Sequence, residues 1–127
     1  MSLRSPLGRV RGLGSAKSGV HHWWHQRTSA IALVPLSLWF VSAVLGHTQS
    51  SHAETLAWIG SPFITVMLIA LILAMFYHAK LGLQVVIEDY VHHEISKLGL
   101  LTLMKLTLAF GALLGVVAVL KIAFGSA

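Results

Sequence analysis

Three stretches of this 127-residue chain are apolar over lengths that match a lipid bilayer. They run from Thr28 to Gly46, from Phe63 to roughly Val86, and from Leu98 to Phe124. Crossing the hydrocarbon core takes about 20 predominantly apolar residues. Inside it only a helix or a closed barrel satisfies its own backbone. Three such spans use up most of the chain and leave no room for a separate soluble domain. Composition agrees, with 56% hydrophobic and only 10% charged residues and a mean hydropathy of +0.79. That is too little charge to coat a water-soluble surface. The sequence therefore predicts an all-α integral membrane protein with transmembrane helices at about 22–46, 62–90 and 98–124. Short connections make successive helices antiparallel, up-down-up, in a simple three-helix sheaf. Three helices enclose little interior, so a partner with helices of its own is expected.

The charge balance of +5, nine Lys and Arg against four acids, would suit a nucleic-acid partner if it were spread over one face. Its placement says otherwise. Arg4, Arg9, Arg11, Lys17 and Arg27 all precede the first span, and residues 47–61 contain no Lys or Arg. Such asymmetry sets membrane orientation and leaves no reading as a nucleic-acid binder. It predicts that the N-terminus and the 88–97 connection lie in the cytoplasm, with residues 47–61 and the C-terminus outside. Lys97 and Lys105 agree with this orientation, and Lys121 opposes it. Residues 1–18 read as a basic flexible cytoplasmic arm and residues 19–127 as the membrane domain. A basic, acid-free, Ser- and Gly-rich start also describes a mitochondrial transit peptide. The expectation is a retained arm in a bacterial cytoplasmic membrane, with the mitochondrial inner membrane as the alternative. The chain has no cysteine, which excludes disulfides, thiolate zinc and iron–sulfur ligation within it.

Local signals fill in the spans. Trp23 and Trp24 read as an interfacial aromatic belt, with Trp58 as the matching anchor on the other side. Pro35 is expected to kink the first helix or loosen one turn. Ser61 and Pro62 suit a helix start, and "HHEISK" at 92–97 reads as a tight turn. Gly111 and Gly115 form a GxxxG in the third span, which favours close helix packing.

The second span carries the chemistry. It includes His78, and an ionisable group within hydrocarbon normally faces a bundle interior and has a partner. On a helical wheel Ala74 and Gly82 bracket His78 by four residues each way and leave a shallow groove. A flat apolar ligand can lie there with the imidazole on its metal, which makes haem a candidate. A proton relay and a structural interhelical hydrogen bond are the other readings of the same spacing. Asp89 lies eleven residues further on nearly the same face, about 16 Å along the axis. Asp89 and Tyr90 then sit at the cytoplasmic interface, where a phenol can donate a hydrogen bond while its ring stays in apolar surroundings. A quinone carbonyl suits that donor, and an ordinary interfacial Tyr beside a solvated Asp is the plain alternative. Arg27 stands on the same side, where its fork can pair with haem propionates or simply anchor the helix. Lys80 snorkels and has no assigned role.

These residues resemble a known family. "HAKLGLQVVIEDYV", residues 78–91, is similar to the H-A-x-x-G-x-x-x-x-x-x-D-Y-V segment of the small membrane-anchor subunits of succinate dehydrogenase. "GVHHWWHQRTSA", residues 19–30, resembles their entrance segment, G-V-H-x-x-x-x-x-R-x-[ST]-A. The two motifs occur in the family's order, and the likeness covers about residues 19–124. The resemblance implies that His78 is one axial ligand of a b-type haem shared with a second anchor subunit. It implies further that Tyr90, with Asp89 beside it, binds ubiquinone, and that Arg27 and His21 hold the haem propionates near Gly82. Its implied partners are that second membrane anchor subunit, an iron–sulfur subunit and a flavoprotein subunit that oxidises succinate. The chain itself is then not the dehydrogenase. The Trp-rich entrance and Lys80 depart from some relatives. Rival readings are the anchor of a fumarate reductase, a small proton-coupled transporter subunit and a purely structural tether.

Overall fold

A computed structural model describes residues 6–10 and 19–125 of the chain. Its three long helices are α2 (Gly19–Gly46), α4 (Pro62–Tyr90) and α5 (Glu94–Gly125), preceded by the short α1 (Pro6–Val10) and interrupted by α3 (His52–Ile59). With 28, 29 and 32 residues, the long helices extend about 42–48 Å at the usual rise and overhang a core of about 30 Å. The three expected spans are therefore present. Two boundaries move outward: α2 begins at Gly19, and α5 begins at Glu94 rather than Leu98. The "HHEISK" turn shrinks accordingly to Val91–His93, and Glu94 lies in the first turn of α5, where a carboxylate complements the helix dipole. α2 continues through Pro35 without a break. Apart from α1, the basic arm assigned to residues 1–18 lies outside the described residues.

The connection between the first two spans holds a helix that was not anticipated. Ser51 and Glu54 start α3 as a reciprocal cap: the Glu54 N–H donates to Ser51 Oγ (3.3 Å) and the Ser51 N–H donates to Glu54 Oε2 (2.7 Å). That backbone donation from Ser51, seconded by its hydroxyl, holds the Glu54 carboxyl below its ordinary value. The connection also folds back on the membrane domain. His47 donates from Nδ1 to Ala43 O (2.8 Å), and its ring lies 4.3 Å from that of Trp58. A Cβ on Gly60 would stand 3.7 Å from Ile122 O, so the end of α3 rests on the last turns of α5.

α4 lies between the other two long helices. It packs on α2 along one side and on α5 along the other, while α2 and α5 do not pack on each other among the described residues. The sheaf expected from the sequence is thus an open row. The α4–α5 seam is close because two glycines permit it. A Cβ on Gly111 would come within 2.8 Å of Phe76 Cε1, and one on Gly115 within 3.3 Å of Ile72 Cδ1. These are the two positions of the GxxxG, used here for helix packing. Elsewhere the row has little interior. Among the described residues Leu68, Leu81, Ser29 and Thr65 are buried, whereas Leu103, Phe110 and Leu113 on α5 are more than 60% exposed. Side chains of that kind in the open are covered by lipid or by other helices.

The glycine seam makes a contrast that can be measured. Gly111→Leu should cost about 1–3 kcal/mol through overpacking against Phe76. Gly99→Leu, at a position with nothing within 4 Å, should leave the thermal midpoint of the detergent-solubilised protein nearly unchanged. Equal losses at the two positions would contradict the packing.

Candidate functional site

His78 stands on the side of α4 that meets α2, half-buried, with a partner at each ring nitrogen. Its Nδ1 is 3.0 Å from Ser29 Oγ, and its Nε2 is 3.3 Å from Gln26 Nε2. Ser29 in turn donates to the backbone carbonyl of Gln26 at 3.0 Å. One proton arrangement satisfies all three contacts. The Ser29 hydroxyl gives its proton to the carbonyl, so its oxygen accepts from His78 Nδ1–H. Nε2 then carries the lone pair and accepts from the Gln26 amide. The hydroxyl thereby selects the tautomer, as the outer hydrogen bond of a metal-bound histidine does.

α2 builds this partner set from a single face. His22, Gln26 and Ser29 are spaced four and three residues apart, so they stack along one stripe of the helix. Ser29 is 7% exposed. Gln26 Oε1 and His22 Nε2 are buried without a hydrogen-bond partner among the described residues. The α2–α4 seam therefore holds more polar capacity than its own contacts use. Gly82, one turn beyond His78, lies beside the Gln26 side chain: a Cβ there would meet Gln26 Nε2 at 3.5 Å, an ordinary contact. The small-residue groove expected around His78 is thus faced by Gln26 on the Gly82 side. On the other side, Ala74 lines a separate hollow between α2, α4 and α5.

The remaining candidates share one end of the row but not one contact. Packing of Gln26 and Ser29 on His78 sets the start of α2 beside the last third of α4, so Arg27, Asp89 and Tyr90 lie at the same end. Asp89 is exposed, and Tyr90, the last residue of α4, is 79% exposed. Arg27 is exposed, with its guanidinium 5.4 Å from the ring centre of Trp23. His21 lies 4.3 Å from the ring of His25, which meets Tyr77 edge-on at 5.9 Å. Lys80 Nζ is 5.9 Å from the Tyr77 ring. Sequence reasoning singled out His78 but not its partners, Ser29 and Gln26. The stripe of three polar side chains at 22, 26 and 29, spaced four and three residues apart on one face, was the signal that would have found them.

An imidazole with Nδ1 engaged and Nε2 carrying the lone pair suits a metal of a macrocyclic cofactor. The residues fit such a group, on one condition. The Gln26 amide must leave Nε2, and it sits on a flexible side chain beside a glycine. Among the described residues no three His, Asp or Glu side chains converge on a common point. A metal on His78 would need its other ligands from outside this set of described side chains.

Fold and site together define a class: a three-span helical membrane subunit whose central span presents a histidine toward its neighbour. Residues 1–120 match the family described as succinate dehydrogenase/fumarate reductase transmembrane subunit, and the chain belongs to that family. Its relatives include the succinate dehydrogenase hydrophobic membrane anchor subunit of Rickettsia bellii, 40% identical over 89 residues, covering 69% of this chain and 70% of that one. The subunit of the same name from Rickettsia conorii is 35% identical over 92 residues, covering 72% and 73%. That of Paracoccus denitrificans is 31% identical over 86 residues, covering 68% and 67%.

Ser29→Ala tests the seam itself. Leaving His78 Nδ1–H without its acceptor should lower stability by about 1–3 kcal/mol, the cost of an unmet buried donor. Ser29→Thr, which keeps a hydroxyl, should recover much of it, as read from thermal unfolding. A full-size loss in the Thr variant and none in the Ala variant would rule out the hydrogen bond.

Proposed function

We propose that the chain is the membrane anchor and electron-transfer subunit of a succinate:ubiquinone oxidoreductase, and that His78 is an axial ligand of a b-type haem. The observation that carries this reading is the hydrogen-bonded His78, held by Ser29 through Nδ1 with Nε2 bearing the lone pair, in a member of this family. When bound, the haem supplies a one-electron store between an iron–sulfur partner and the quinone. The chain's own residues do the positioning. His78 offers Nε2, Ser29 holds the ring, and the flexible Gln26 side chain beside Gly82 is the group that would withdraw. Arg27 and His21, cationic or able to become so, are the groups for the propionates. The second axial ligand comes from a second membrane anchor subunit. A flavoprotein oxidises succinate, so this chain does not perform the dehydrogenation. The relatives' names favour succinate oxidation over the reverse fumarate reduction.

Ubiquinone takes two electrons and two protons to become the quinol. Tyr90 is suited to donate a hydrogen bond to a quinone carbonyl, because its hydroxyl stands free at the end of α4. Asp89 beside it is placed to pass protons from the water phase. The Lys and Arg distribution puts this end in the cytoplasm of a bacterium, the side on which the soluble subunits dock. Protons then enter from the cytoplasm and none crosses the full membrane.

Two experiments on the purified complex test the assignments. Its absorption spectrum should show the Soret and α bands of a b-type haem, lost or shifted in His78→Ala; an intact complex without haem would remove His78's role. Tyr90→Phe should keep succinate oxidation with an artificial acceptor near wild type and slow quinone reduction roughly 2- to 10-fold, the scale of one charge-free hydrogen bond to a reacting group. Equal rates with both acceptors would acquit Tyr90.

A further inference from the structure

The open row leaves a hollow of about 740 Å³ between α2 and α5, with α4 as its floor. That volume is in the range of sites for a single small molecule, roughly 300–1,000 Å³. One end is polar and basic: Lys80 and Lys105 line it together with His25 and Tyr77. The hydroxyls of Thr28 and Ser29 border it on α2, and the remaining wall is apolar, with small side chains at Ala32, Ala74, Ala109 and Ala112. No acidic side chain lines it.

Depth makes the two lysines informative. Lys80 is ten residues from the end of α4 and Lys105 eleven from the start of α5, so both lie about 15–17 Å in from the same face of the row. The helices overhang a core of about 30 Å by roughly 7–9 Å at each end. Each lysine Cα is thus about 8 Å below the hydrocarbon boundary, a depth from which the ammonium snorkels to the phosphate layer. The acids nearest in sequence, Glu88, Asp89 and Glu94, stand at the helix ends and are exposed. Two cations converge at one depth with no carboxylate among the groove residues to balance them.

We propose that this groove binds one acidic phospholipid, with its phosphate between Lys80 and Lys105 and its acyl chains along the apolar floor. His25 and the Tyr77 hydroxyl supply further donors to the phosphate or the glycerol oxygens. A neutral quinone offers carbonyl acceptors but no charge to balance two ammonium groups. A partner helix would have to bring an acid to the same depth, where a charged side chain is costly. Ser29, which holds His78 Nδ1, also borders the groove, whereas His78 does not line it; the proposal does not depend on haem or quinone.

Native mass spectrometry of the intact complex, delipidated in detergent and then offered phosphatidylglycerol or phosphatidylcholine, tests it. The wild-type complex should retain one phosphatidylglycerol in preference to phosphatidylcholine. Lys80→Gln/Lys105→Gln should retain it roughly thirtyfold more weakly, the factor expected for losing two cations near an anionic headgroup. Lys80→Arg/Lys105→Arg should retain it. Ala109→Leu, which narrows the groove and keeps both charges, should also lose it, and this separates a built site from general attraction. Equal retention of the two lipids by the wild type would overturn the proposal. So would undiminished retention in the Gln variant, or a crosslink from Lys80 to an acid of a partner helix.

Discussion

A helix in hydrocarbon satisfies its own backbone, so every polar side chain it carries must find a partner elsewhere. The pairing of His78 with Ser29 and Gln26 meets that requirement, and much of the arrangement follows from it. It brings α2 against α4 in one register, which places the start of α2 beside the last third of α4. That register puts Arg27, Asp89 and Tyr90 at a common end. It also turns Nε2, rather than Nδ1, toward the flexible Gln26 and the glycine beside it.

The two sides of α4 are built on different principles. Toward α2 the contact is polar, with hydrogen bonds and two buried atoms left unpaired. Toward α5 it is steric, with Gly111 and Gly115 admitting Phe76 and Ile72. Small residues allow close approach and so gain dispersion contacts where no hydrophobic drive exists between helices in lipid. One seam is suited to change its partners, the other to stay closed. The proposed haem site would use both properties: a ligand seam able to admit a cofactor, and a scaffold rigid enough to hold it.

The spans were legible because hydropathy reports the bilayer directly. The candidate residues came from two motif stretches, 78–91 for His78, Asp89 and Tyr90 and 19–30 for Arg27 and His21. What escaped was relational. Ser29 and Gln26 read as ordinary polar residues until α4 lies beside them, although their spacing from His22 marks one stripe. α3 has its signal too, in the Ser51–Glu54 cap, although it stands in a short polar connection where no periodicity marks a helix. The open row could not be read at all. Whether α2 and α5 touch depends on side-chain volumes along α4 and on what fills the groove, neither of which periodicity encodes. Lys80, without a role in the sequence, acquired neighbours only in three dimensions.

The central claim is that His78 Nε2 binds a haem iron, and changing the ligand atom tests it most directly. Near-infrared magnetic circular dichroism of the oxidised complex reports which atoms bind the iron axially. In a His78→Met complex that keeps its haem, the charge-transfer band should move from the position of nitrogen ligation to that of a thioether sulfur. An unchanged band in a variant of full haem content would show that the iron is held by some other residue.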